Sequence, residues 1–214
     1  MTLIINTYKK IRNRFMLLIN FWRQTLPLVV LSALLSACGV NNIPTYDEQV
    51  KSAWSQVENQ YQRRADLIPN LVSTVKGYAA HEKETLIAVT NARAKVGSMQ
   101  VSGKLLDNPQ AMQQFQQAQG ELGSALKRLL VVSERYPNLK ANQNFLALQS
   151  QLEGTENRIS VARRDFITST ERYNTEIRTF PGKLWHDFLY SDMELREAYT
   201  ATSQDAETAP KVSF

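Results

Sequence analysis

From Thr45 onward, apolar side chains recur every three or four positions. Val50, Trp54, Val57, Tyr61, Ile68, Leu71, Val75 and Tyr78 keep one phase, the mark of a helix that buries one face. "TYDE" places Thr45 three residues before Glu48, the capping-box pattern that opens a helix. The pattern resumes at Leu86, Val89 and Val96, so this first helix is expected to run to about Lys95. Pro69 lies inside it. Proline has no N–H to offer the carbonyl four residues back, so Ala65 loses its helical partner. The stripe holds its phase across Pro69, which predicts a kink rather than a stop, with Asn70 or a water serving the freed carbonyl.

"GSMQVSGKLLDN" then reads as a loop. Asn108-Pro109, a capping side chain followed by proline in the first turn, predicts a second helix. Its apolar face is Met112, Phe115, Ala118, Leu122, Leu126, Leu129 and Leu130, and "RYPN" ends it. The third helix is expected from about Leu139 to Thr179. Phe145, Leu148, Leu152, Thr155, Ile159, Ala162, Phe166, Ser169 and Tyr173 alternate three and four apart, an a/d seam at heptad spacing. This stripe reads as the bundle's own core, with an oligomer seam as the alternative. About 40 residues at ~1.5 Å each make a rod of roughly 60 Å. Phe180-Pro181-Gly182 breaks it, and "KLWHDFLY" is expected to lay Trp185, Phe188 and Leu189 across the bundle end. Residues 191–214 read as a partly disordered tail. Nowhere is there a strand signal. The fold class is therefore all-α: an extended antiparallel bundle of three to four helices over residues 45–190, the first helix kinked near Pro69.

The N-terminus breaks this pattern. "TLPLVVLSALLSA" (25–37) is an apolar run of about a dozen residues, the length of a signal-peptide core and too short to span a ~30 Å bilayer core. Extending it back through "FMLLINFW" puts Arg23 and Gln24 mid-membrane, where an arginine costs roughly 2.5–3.5 kcal/mol. Leu35-Ser36-Ala37-Cys38 matches the lipobox of bacterial lipoproteins. On that reading the Cys38 thiol would be alkylated by a diacylglyceryl group, and a peptidase that accepts only small neighbours would then cut before it. Cys38 is the sole cysteine of the chain, so an internal disulfide is ruled out. Residues 1–37 thus read as a lipoprotein signal peptide and 38–44 as a tether. A shorter leader starting at Met16, or a leader retained as an anchor, are the alternatives. Gly39 rather than aspartate after the cysteine points to the outer membrane of a Gram-negative cell, with the inner membrane as the alternative.

Charge supports that division. The formal net charge is +5, yet Lys9, Lys10, Arg12, Arg14 and Arg23 precede Cys38 with no acid among them. The rest of the chain is neutral, which removes the reason to expect nucleic-acid binding.

"WSQVENQYQRRADLIPNLVSTVKGYAAHEKETL" (54–86), "LLVVSERYPNLKANQNFLALQSQLEGTENRISVARRDF" (129–166) and "YNTEIRTFPG" (173–182) together resemble the LemA family. The resemblance covers most of residues 45–185. It implies an all-α extended bundle, anchored by its N-terminus to a bacterial membrane, with no established catalytic activity. Two departures stand out: a lipobox in place of a plain hydrophobic anchor, and Arg163-Arg164-Asp165-Phe166 where many relatives read "RRxYN".

Catalytic chemistry finds little purchase. His81-Glu82 would need a histidine at 85 to begin a zinc-protease motif, but 85 is threonine. The other histidine is His186. There is no glycine-rich phosphate loop and no paired Glu-x-x-His for a di-iron site. No cofactor or metal is expected. The unusual stretch is "YQRRADLIPN" (61–70), where Arg63, Arg64, Asp66, Pro69 and Asn70 cluster at the proline. "ENRISVARRD" (156–165), with Arg163 and Arg164, has complementary make-up. These residues form either a structural polar belt or a partner-docking surface. The leading functional reading is a non-enzymatic envelope lipoprotein facing the periplasm, a scaffold or adaptor for another envelope protein. It would be held to the membrane through lipid on Cys38, with a homo-oligomer left open by the a/d seam. A helical component of an export system, or an enzyme with a carboxylate-lined bundle site, are the alternatives.

Overall fold

The computed structural model describes residues 39–99 and 103–199, and every element among them is helical. The lipobox from Leu35 to Cys38 and the tail from 200 to 214 lie outside the described residues. The elements are α1 (Asn42–Tyr78), α2 (Lys83–Ser98), a 3-10 turn (Gly103–Asp107), α3 (Pro109–Ser133), the single turn α4 (Pro137–Lys140), α5 (Gln143–Arg178) and α6 (Gly182–Leu189).

α1 opens earlier than the capping box suggests. Its N-cap is Asn41, without a side-chain cap, and Thr45 is exposed. The cause is Ile43, fully buried seven residues before Val50, which extends the stripe upstream. Residues 42–44, assigned to the tether from sequence, therefore belong to the bundle. Gly39 turns the chain into α1 at φ 123°, a conformation open to glycine at no steric cost; its carbonyl accepts from the Asn42 N–H at 3.0 Å.

α1 also ends earlier, at Tyr78 rather than Lys95. Ala79 to Glu82 turn the chain, with the Glu82 N–H bonded to the Ala79 carbonyl at 3.0 Å. α2 folds back so that Arg93 reaches Ala65 at 2.9 Å. Leu86, Val89 and Val96 still face the core, because the reversed helix buries its stripe against the same interior. Pro69 sits inside α1 without ending it.

Asn108 and Asn142 cap α3 and α5, accepting from the N–H groups of Ala111 and Phe145 at 3.0 Å each. The second cap sets the start of α5 at 143, not 139. α1 and α5 run antiparallel: Asn42 bonds Glu176, Tyr46 meets Arg172, Gln60 meets Arg158, Arg64 meets Glu156, and Tyr78 meets Asn142. The heptad seam of α5 holds to Phe166 and then slips. The next buried residues are Thr170, Tyr173 and Ile177, not Ser169. A step of four in place of three is a stutter, which locally relaxes the supercoil.

Two apolar clusters fill the bundle. One joins Ile43, Trp54, Tyr61, Phe115, Ile159, Phe166 and Tyr173; the other joins Ile68, Val75, Val89, Leu122, Leu129, Phe145 and Leu152. In the first, Trp54 stacks edge-on to Phe115 at 5.6 Å and tilts against Phe166 at 5.1 Å, geometries that add to the burial energy. Between the clusters lies the polar layer described below.

Two corrections concern the C-terminal end. Gly182 packs so closely on α5 that a Cβ would overlap the Glu176 carbonyl; of the side chains expected to cover the bundle end, Trp185 packs against the core, and Phe188 and Leu189 are exposed. Residues 191–199, placed in the tail from sequence, are bound to the bundle. The Tyr173 hydroxyl donates to the Glu194 carbonyl at 2.9 Å, Asn174 and Arg196 exchange two bonds, and Arg196 pairs with buried Asp47 at 2.7 Å and with Asp107.

Candidate functional site

Arg64 occupies a core position. It follows Tyr61 by three and precedes Ile68 by four, in phase with the stripe, and is 3% exposed. A guanidinium there must find acceptors on its neighbours. α5 supplies Glu156, whose carboxylate accepts from Arg64 Nη1 at 2.9 Å. α3 supplies Gln119, whose backbone carbonyl accepts from Nη2 at 3.3 Å and whose side-chain oxygen also bonds Nη2. Arg64 lies 5.0 Å from the Tyr61 ring centroid. Gln116 and Thr155 are buried at the same level. Three helices thus contribute one polar layer.

The layer opens on one side into a cleft of about 260 Å³. Gly120, Gly123, Ser124 and Ser160 leave the space, and Lys127, Arg163, Glu156 and Tyr199 border it. The Arg163 guanidinium stacks over Tyr199 at 3.9 Å, a cation–π contact. The Tyr61 and Tyr199 hydroxyls share a hydrogen bond of 2.7 Å. Burial, then the neighbouring Tyr199, pushes the Tyr61 phenol above its ordinary range, so Tyr61 stays neutral. Arg64 Nε and Arg163 Nε are buried without a hydrogen-bond partner. Three cations face one carboxylate, so the cleft favours acceptors and negative charge. Among its lining residues the hydroxyls have no histidine beside them to act as base.

The residues singled out from sequence separate here. Arg64 and Arg163 come together in the layer. Arg63, Asp66, Pro69, Asn70 and Arg164 are exposed. Asp66 accepts from Gln62 at 2.9 Å, and the Asn70 carbonyl accepts from Thr74. The carbonyl freed by Pro69 is served by Arg93, not by Asn70. Gln116, Gln119 and Tyr199 were not found from sequence. The two glutamines lie in phase with Met112, Phe115 and Leu122, a readable signal; Tyr199 has none. Among the described residues no group of three His, Cys, Asp or Glu stands close enough to hold a metal ion, and no helix is long and apolar enough to cross a membrane.

The fold and the layer define a class: an elongated all-α bundle whose antiparallel long helices are joined by a buried polar contact. The chain belongs to the LemA family, whose model matches residues 53–214. It is similar to magnetosome protein MamQ 1 of Paramagnetospirillum magneticum, 28% identical over 157 residues, which are 66% of this chain and 58% of that protein. MamQ of Magnetospirillum gryphiswaldense matches to the same extent. Protein LemA of Metamycoplasma hominis is 23% identical over 140 residues, covering 65% of this chain and 60% of its own. The chain thus spans somewhat over half the length of these curated relatives.

Proposed function

We propose that this protein is a membrane-anchored envelope lipoprotein, non-enzymatic, whose bundle serves as scaffold or adaptor for another envelope protein. The observation that carries the reading is polarity of the rod. Gly39, directly after the candidate lipid-bearing Cys38, enters at one end beside Pro181. α1 then runs 37 residues away from it, roughly 55 Å at ~1.5 Å per residue. A body fixed at that end projects its cationic cleft and the exposed Arg63 and Arg164 away from the anchor. Membership of the LemA family supports membrane association, and the relatives named as magnetosome proteins support a role in an organised bacterial structure. Gly39 favours the outer membrane of a Gram-negative cell, facing the periplasm.

In-cell cross-linking followed by mass spectrometry tests the role. A stoichiometric envelope protein joined to the wild-type chain, and weakened by Arg63→Ala with Arg164→Ala at unchanged melting temperature, is the expected result. Unaltered capture by the double variant removes these two arginines from the docking surface. Absence of any stoichiometric partner contradicts the adaptor role.

A further inference from the structure

α6 presents an apolar face that nothing in the bundle covers. Phe180, Leu184 and Phe188 are spaced by four and are 82%, 40% and 78% exposed; Leu189 beside them is 58% exposed. Spacing of four puts Leu184 and Phe188 on one side of α6, and Phe180 precedes the helix across Pro181. The other side is committed to the protein. Trp185 packs against the core cluster, and His186 bonds the Met193 carbonyl at 3.0 Å. An exposed run of large apolar side chains marks a surface that meets another phase or partner.

The place of this face says what that partner is. A Cβ on Gly39 would lie 4.0 Å from Pro181 Cγ, and Asn42 bonds Glu176 at 3.0 Å. The chain therefore enters the bundle at the base of α6. One residue before Gly39 is Cys38, and before that comes the apolar run 25–37. With residue 38 held at a membrane, the next residue, Gly39, enters beside Pro181 at the base of α6. Exposed Arg178 lies two residues before Phe180, a cation that suits anionic headgroups, while Lys183 is paired with Asp187.

We propose that α6 and Phe180 form a second membrane contact, inserting Phe180, Leu184 and Phe188 among the acyl chains of the bilayer that holds the N-terminus. The inference rests on the reading that the segment before Gly39 is membrane-held. An anchored residue 38 tethers the body at one point; an apolar side of α6 in the interface fixes its tilt as well.

The test uses the full chain reconstituted into vesicles of phosphatidylethanolamine and phosphatidylglycerol, with Phe188→benzoylphenylalanine as photoprobe. Val131→benzoylphenylalanine, 67% exposed in the wild type and at the opposite end of the rod, is the control. Expected is a phospholipid adduct from position 188 and none from 131. A chain that sediments with the vesicles but yields at 188 only adducts to a second copy, to its own leader, or none leaves the anchoring reading intact and overturns the inference. Equal lipid adducts at both positions also overturn it. A chain that does not associate with vesicles at all overturns both.

Discussion

Arg64 and Arg63 are adjacent in sequence and opposite in consequence. Arg64→Ala removes the donors that satisfy Glu156 and Gln119 and leaves a void in the layer. The expected loss is about 2–3 kcal/mol, below the ~3–5 of a fully buried pair, because the Glu156 side chain is 46% exposed. Arg63→Ala, on the exposed side, should stay within about 0.5 kcal/mol. Urea melts of the two variants check this directly. The distinction was available in the sequence: positions 57, 61, 64 and 68 share the buried phase and 63 does not. What composition could not supply was the partner set, since Gln119 and Glu156 meet Arg64 through packing of distant segments. Gly182 is a second sharp case. A Cβ there meets the Glu176 backbone, so Gly182→Ala should cost about 1–3 kcal/mol and shift the α6 signals in an NMR spectrum.

At the level of elements, Pro69 and Arg93 belong together. Proline opens a gap in the hydrogen-bond ladder of α1, and α2 fills it with a guanidinium. Pro69→Ala should therefore bring less stability than a simple restored bond suggests, because the Ala65 carbonyl already has a donor. Arg93→Ala should cost about 1–2 kcal/mol in the wild type and measurably less beside Pro69→Ala, where the helix supplies its own N–H. A double-mutant cycle reads the coupling; additive effects would contradict this account. The periodicity showed both α1 and α2 but not the turn between them. A stripe reports which face is buried, and a helix that doubles back onto the same core keeps burying its stripe. The slip from Ser169 to Thr170 escaped for a related reason, since either residue is small enough for the seam and only packing decides.

For the whole molecule, the polar layer and the C-terminal strap act on the same problem, the relative register of long helices that could slide past one another. Two apolar clusters separated by a layer of Arg64, Gln119 and Glu156 leave one alignment in which the guanidinium is satisfied. The strap adds Arg196, whose loss by Arg196→Ala should lower stability by about 3 kcal/mol, the low end for a broken buried pair, because Lys51 still reaches Asp47 at 2.8 Å. The all-α bundle was legible from the apolar stripes; the helix count was not, because α1 and α2 share one stripe and read as a single helix. The strap was not, because residues 190–199 are held by Arg196, Tyr199 and other contacts that follow no periodic pattern. With register fixed, the rod has a defined base at Gly39 and α6, and the claim that this base stands on a membrane depends on Cys38. Intact-mass analysis of the chain extracted from its native membranes tests it most directly. The expected result is a mature protein that has lost residues 1–37 and carries acyl chains on Cys38, with both changes abolished by Cys38→Ala. An unmodified thiol on a chain still bearing the leader would contradict it.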